Sequence, residues 1–347
     1  MAKRTRVEER RRPSVYDVAD RAGVSIATVS RVLRQNAPVA DDTRQRVLAA
    51  AEELKWRPSR LARAFVEQSH GAVGIVFPDL GGPYYSRVIA GFEEAAAERG
   101  SAVLILATHG RDNASELVTD LADRVDGLVV MGRTVTDDVI GSLAGSDRPV
   151  VLLARPSVGD VTAVRSANAA RADQLAQHVL AHGCRRVVFV GDPGRSPDVG
   201  ERWRGVRRAL RRAGIDATEA LVACEGFDVE HGHKAGVELF GRVDGVDAVM
   251  CANDELAAGV LRAATADGRR VPDNVAVTGW DDTSMAARTH PPLTTVRQPM
   301  HELGTRAAEL LFDRIDGRPT ASIVLRTSVI VRESCGCTPD QPTATKG

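Results

Sequence analysis

The apolar positions follow two regimes, helical spacing up to about residue 57 and short apolar blocks from residue 71 onward. Ser14 is followed by Val15, Val18, Ala19 and Ala22, an i, i+3, i+4, i+7 stripe that predicts a helix, with Asp17 at the capping-box position. Gly23 ends this helix, because a chain leaving a helix commonly turns through positive φ. Ser25 caps a second helix over Ile26–Leu33, with Val29 and Leu33 facing inward. Asp41, Asp42 and Thr43 open a third, whose Val47, Leu48, Ala51 and Leu54 share a face.

From Gly71 the blocks read as strands alternating with amphipathic helices. Ala72–Phe77, Ala102–Ala107, Gly127–Met131 and Val150–Leu153 predict buried parallel strands, with helices such as Ser86–Arg99 between them. The series restarts with Arg186–Val190, Leu221–Cys224, Ala248–Cys251 and Val275–Gly279. The fold class is therefore a small all-α helix-turn-helix headpiece plus an α/β body of two doubly wound parallel-sheet subdomains around a cleft.

Each regime suggests a chemistry. In a helix-turn-helix the second helix enters the major groove, where Ile26, Ala27, Thr28, Ser30 and Arg31 point outward. Arg31 suits a bidentate contact to guanine, and Ile26 and Ala27 suit thymine methyls. Tyr16, Ser25, Ser30 and Thr43 suit phosphates. On these residues alone a plain three-helix bundle with a polar outer face stays open. In the body, ligands sit beyond the carboxyl ends of parallel strands. Asp79, Tyr84, Tyr85, His109, Arg133, Asp192, Arg202, Phe227, Asn253 and Asp281 lie there, as do Asp254 and Asp282, which read better as helix caps or loop anchors. Carboxylates, an amide, an arginine and aromatic faces suit a polyhydroxylated ligand.

Charge sharpens the division. Residues 1–65 hold 15 Lys+Arg against 8 Asp+Glu, and the remainder 31 against 38, so a basic piece precedes an acidic body. The five cysteines are odd in number and scattered, which favours a reducing compartment over a disulfide framework. Cys335 and Cys337 have no histidine near them in sequence, and no metal site is expected. The first residues lack a signal-peptide h-region and no long uncharged apolar run occurs, so a cytoplasmic protein without membrane contact is expected. No nucleotide-binding glycine motif follows a strand, and His109, His178, His231 and His233 are dispersed. Neither catalytic residues nor a cofactor are expected.

The run Val15-Tyr-Asp-Val-Ala-Asp-Arg-Ala-Gly-Val-Ser-Ile-Ala-Thr-Val-Ser-Arg-Val-Leu33 closely resembles the headpiece of the LacI/GalR regulators. Val39–Val47 and Leu54–Pro58 do so too, and the resemblance extends over about Pro13–Ser334, with a periplasmic-binding-protein-like body. It implies a hinge helix at 58–67 that enters the minor groove, where Ser59 and Arg60 contact DNA and Phe65 wedges into a base step. The family usually has asparagine at Ser59 and leucine at Phe65. It also implies effector contacts from Arg202, Asn253, Asp281 and Phe227. Gly82, Ala154 and Ala167 replace polar residues that the family places in its pocket, so effector identity does not transfer.

The organisation expected from residues and resemblance together is a disordered basic arm (1–12), a DNA-binding domain (13–57), the hinge helix (58–67), a core (71–334) and a flexible tail (335–347). Within the core, one subdomain spans about 71–166 and 299–322, the other about 167–296 and 323–334. The resemblance implies a homodimeric repressor of a palindromic double-stranded DNA operator, controlled by a sugar-like small molecule. The tail has no heptad for higher assembly. Alternatives are a protein-coregulated or ligand-independent regulator, a sugar-binding transport protein, and an enzyme on a doubly wound sheet.

Overall fold

A computed structural model describes residues 13–34, 39–56, 69–146, 148–242 and 245–337. The chain divides into two compact units, Met1–His70 and Gly71–Gly347. The expected arm, the hinge segment with Ser59, Arg60 and Phe65, and the tail beyond Cys337 lie outside the described residues.

In the first unit, α1 (Val15–Ala22), α2 (Ile26–Arg34) and α3 (Asp41–Glu53) surround a core of Val18, Ala19, Ala22, Val29, Val32, Val47 and Ala50. The Ser14 N–H donates to Asp17 Oδ2 over 2.6 Å, and Gly23 leaves α1 at φ 64°. Ser25 Oγ accepts the Thr28 N–H over 3.2 Å, which opens α2. Arg21 clamps α1 to α3 through Glu53 at 2.6 Å. One expectation shifts and another lies outside the described side chains. Val32 joins Val29 in the core, whereas the side chain of Leu33 is not described. Leu48 is 51% exposed rather than inward, because the buried stripe of α3 runs through Val47, Ala50, Ala51 and Leu54 and leaves it about a quarter-turn outside.

The second unit opens with β1 (Ala72–Phe77), α4 (Pro83–Glu98), β2 (Ala102–Ala107), α5 (Ala114–Ala122), β3 (Leu128–Met131), α6 (Asp137–Gly145), β4 (Val150–Leu153) and β5 (Ala163–Ser166). There follow α7 (Ala169–Ala181), β6 (Val187–Val190), α8 (Pro197–Arg212), β7 (Leu221–Val222), α9 (Val229–Arg242), β8 (Ala248–Cys251), α10 (Asp254–Ala266) and β9 (Ala276–Thr278). The chain ends through β10 (Thr295–Arg297), α11 (Met300–Ile315), β11 (Ile323–Leu325), β12 (Ser328–Ile330) and a 3-10 turn at Glu333–Cys335. Continuous apolar runs make β1, β3, β4, β6 and β8 buried along their whole length, as parallel strands covered on both faces require.

These strands form two parallel sheets, β2-β1-β3-β4-β5-β11 and β7-β6-β8-β9, plus an antiparallel pair of β10 with β12. The expected return to the second lobe at 323 falls later, because β11 pairs with β5 at the edge of the first sheet. Helix α4 begins three residues before the expected start, Pro83 supplying a pre-set φ in its first turn. No helix among the described residues is long and apolar enough to cross a membrane.

Helices α4 and α11 cover the first sheet and touch backbone to backbone. A Cβ at Gly304 would lie 2.0 Å from the Val88 carbonyl oxygen, and one at Gly91 2.0 Å from that of His301. Gly304→Ala is therefore expected to destabilise the body by about 1–3 kcal/mol despite alanine's better helix propensity, read as a lower urea midpoint.

Candidate functional site

The exposed face of α2 carries the first candidate site. Val29 and Val32 anchor the helix inward, which leaves Ile26, Ala27 and Arg31 exposed and Ser30 and Thr28 half-buried on the opposite side. Ile26 is 40% exposed and Tyr16 62% exposed, so both are accessible to a partner. Thr43 is half-buried. Ser25 and Thr28 hydroxyls lie 3.0 Å apart at the start of α2, so part of their hydrogen bonding shapes the helix end that they present.

The second candidate site lies in the body, where the carboxyl ends of the two sheets meet. Arg133, after β3, donates to the Gly194 carbonyl, after β6, over 3.1 Å. Gly82 approaches Glu255 so closely that a Cβ would stand 2.4 Å from its carboxylate. A side chain at position 82 would require the end of the Glu255 side chain to move, and its φ of 83° is one that residues with a side chain rarely adopt.

Arg202 is the centre of this cleft. It is 5% exposed, donates from Nε to Asn168 Oδ1 (2.9 Å) and from Nη1 to the Ala252 carbonyl (2.7 Å), and stacks over Trp280 at 4.6 Å. Asp198, one turn earlier on α8, lies 3.9 Å from it. Burial pushes the Asp198 carboxyl up to about 6 against the pull of Arg202, and that of Asp281 up to about 8. Gln298 Nε2 donates to Asp281 Oδ1 over 2.5 Å. Asp281 holds φ 111° and Asp282 φ 55°, conformations that residues with a side chain keep only when their surroundings enforce them.

Tyr84 projects from the first turn of α4 into this group. Burial, then the charges of Asp198 and Asp281, push its phenol well above its usual range. Its hydroxyl, Trp280 Nε1 and Gln298 Oε1 are buried without a hydrogen-bond partner among the described residues. Three orphaned polar atoms around one buried arginine form a locus suited to hydroxyl groups.

The expected residues thus divide. Tyr84, Arg202 and Asp281 come together, and Tyr85 packs edge-on against Phe77 and Tyr84 beside them. Asp79 stays at the rim, accepting from the Leu80 and Gly81 N–H groups and facing His109 at 3.3 Å. Asn253 caps α10 through the Leu256 N–H and donates to the Phe227 carbonyl, so its amide is largely engaged by the fold. Asp254 is wholly buried and binds Thr283 and Thr295, and Asp282 pairs with Arg297 and Arg332, both loop anchors. Asp198, Asn168, Trp280 and Gln298 have partners that sequence alone did not reveal. The spacing of Asp198 four residues before Arg202 was the available signal.

One expectation fails outright. Cys335 and Cys337, read as the start of a loose tail without metal-binding neighbours, pack against His178 and His182.

Residues 14–59 match the family model for bacterial regulatory proteins of the lacI family, and residues 176–335 that of the periplasmic binding protein-like domain. The transcriptional regulator CelR of Thermobifida fusca is 34% identical over 94% of this chain and 100% of its own length. The structure of a CelR–cellobiose complex superposes with a TM-score of 0.71 at 33% identity, covering 93% of this chain and 100% of the other. A lac repressor dimer bound to operator and the anti-inducer ONPF superposes with a TM-score of 0.83 at 25% identity, covering 94% of this chain and 99% of that one.

Proposed function

As a member of the LacI family of DNA-binding transcription regulators, this chain is, we propose, a homodimeric repressor whose hold on a palindromic operator is altered by a sugar-like ligand in the body's cleft. Its matched relatives are regulators and not enzymes.

The observation that carries the ligand reading is the set of orphaned atoms on Tyr84, Trp280 and Gln298 around Arg202 and Asp281. A polyhydroxylated molecule offers each of them a partner while presenting an apolar ring face to Tyr85 or Phe227. The cellobiose complex of a relative supports the same chemical class. Arg133 and Glu255 from facing lobes meet their counterparts at the cleft mouth, so a ligand entering there changes lobe closure. That change passes to the headpiece through the chain joining the two units, and it shifts operator affinity only by the ligand's preference for one closure over the other.

The dimer has its own support. Leu104 and Ile105 on the edge strand β2 are 37% and 44% exposed, apolar surface that a second copy would cover. Twofold pairing of headpieces then calls for a twofold operator.

Operator sequences selected from random duplexes test the first half of the proposal. With that operator, Arg31→Ala should weaken binding by about 1–3 kcal/mol and relax preference at a single base position, read by fluorescence anisotropy. An equal loss on every sequence would reassign Arg31 to a phosphate. Calorimetric titration with sugars, sugar phosphates and nucleosides tests the second half. Heat from none of them would favour a protein-coregulated or ligand-independent regulator.

A further inference from the structure

The last described residues return to the second lobe at a place with no part in the cleft. His178 and His182 stand four residues apart at the end of α7 and so share one face of that helix. The segment after β12 carries Cys335 and Cys337 onto that face. Cys335 Sγ lies 3.3 Å from His178 Nε2, and Cys337 Sγ lies 3.3 Å from His182 Nε2 and 3.6 Å from His178 Nε2. The four donor atoms all fall within 4.8 Å of one another.

Those separations have a chemical meaning. A tetrahedral zinc ion with bonds of about 2.3 Å to sulfur and about 2.05 Å to nitrogen sets the two kinds of donor about 3.5 Å apart. The three sulfur-to-nitrogen contacts bracket this value and no donor pair is more than 4.8 Å apart, so one ion can meet all four donors after a small inward shift of the most distant pair. The two imidazoles approach edge-on, with ring centres 4.9 Å apart and planes at 79°, and both present Nε2 to the Cys337 sulfur.

The local fold holds the donors where they are. Gly336 takes φ 96°, which turns the chain so that cysteines two residues apart present their sulfurs to the same side. Ser334 fixes the turn from beneath, donating to the Val277 carbonyl (2.6 Å) and accepting the Thr294 N–H (2.8 Å). The Thr294 hydroxyl donates to Cys335 Sγ over 3.1 Å, an outer contact of the kind that steadies a metal-bound thiolate.

We propose that His178, His182, Cys335 and Cys337 form a four-ligand site for one thiophilic divalent cation, zinc being the best match. Two thiolates neutralise the ion's charge and two neutral imidazoles complete the tetrahedron. Four protein donors leave no open position, which makes the site structural. It pins residues 333–337 to the end of α7, next to the amino-terminal start of β6 and opposite the strand ends that line the cleft.

The full-length chain, purified under reducing conditions from zinc-supplemented medium, should carry one zinc per chain by elemental mass spectrometry. Replacing zinc with Co²⁺ should give the visible bands of tetrahedral cobalt and a sulfur-to-cobalt absorption in the near ultraviolet. His182→Ala and Cys337→Ser alter an exposed and a half-buried donor and spare the buried Cys335. Each should retain the wild-type circular dichroism spectrum, lose the cobalt bands and fall to background zinc. Chelation should lower the melting temperature of the wild type and leave that of both variants unchanged, because only the wild type gains by mass action from the ion. Wild-type protein without zinc and without a tetrahedral cobalt spectrum would overturn the proposal. So would folded variants that keep the same metal content.

Discussion

Arg202→Met is expected to lower the folding free energy of the body by about 3–5 kcal/mol, the usual consequence of removing one partner from a buried charged cluster. Three contacts go together: the hydrogen bonds to Asn168 and to the Ala252 carbonyl, and the stacking over Trp280. The loss also leaves Asp198 and Asp281 in a closed space without the cation that opposes their burial. Arg202→Lys keeps the charge but not the planar fork, and should fall between. Urea denaturation of the three proteins gives the ranking. A methionine variant within about 1 kcal/mol of wild type would remove Arg202 from the centre of the cleft. The same variant should give no calorimetric heat with any sugar that the wild type binds.

Stability of the ligand-free body should decline as pH rises from about 4 toward 8. Burial raises Asp281 to about 8 and Asp198 to about 6, so the folded chain holds protons that the unfolded chain has already released. The unfolded state therefore binds fewer protons across this interval, and stability falls with increasing pH. The contribution is complete below the ordinary aspartate range and disappears as pH passes the folded values. Its size is on the order of a few kcal/mol, since a tenfold difference in proton affinity between the two states corresponds to about 1.4 kcal/mol. Carboxylates that the fold depresses, such as Asp228 and Asp247, titrate at lower pH and leave this window untouched. Asp281→Asn should remove the largest single part of the slope, leaving the smaller contributions of Asp198 and of Asp254, which burial also raises to about 6. Urea midpoints taken at each whole pH value would show it, and a wild-type profile that climbs toward pH 8 would contradict the assignment.

The parts of this fold that are legible in the sequence are those whose signal is local. Ala72–Phe77 and Val150–Leu153 coincide with strands because strands inside a parallel sheet read as unbroken apolar runs, and Ala102–Ala107 is an equally unbroken run although β2 lies at the sheet's edge. β5, β10 and β12 escape, since three or four residues with Thr, Arg or Ser among them carry no such run, and β11 is apolar but only three residues long, so all four are strands by virtue of their neighbours. Tyr84 and Tyr85 read as residues after the first strand, yet Pro83 makes them the first turn of a helix. In the cleft, Arg202 and Asp281 stand out through the family resemblance. Trp280 and Gln298 are in view as sequence, but their unpartnered atoms exist only once the lobes meet. The His178–Cys335 pairing is the extreme case. A pair of histidines at helical spacing and a Cys-X-Cys are each visible, and nothing between them announces that the chain brings one to the other.

The first sheet is completed by α11 and β11, which lie in sequence beyond the whole of the second sheet's strands. On the ribosome the half that emerges first thus remains unfinished until nearly the entire chain has been made. Until then Val88, Phe92 and the bare backbone at Gly91 have no cover, whereas β6 to β9 and their helices can already assemble. The half synthesised first is consequently the last to close, and a chain cut short before Met300 should leave its opening half exposed to aggregation and proteolysis.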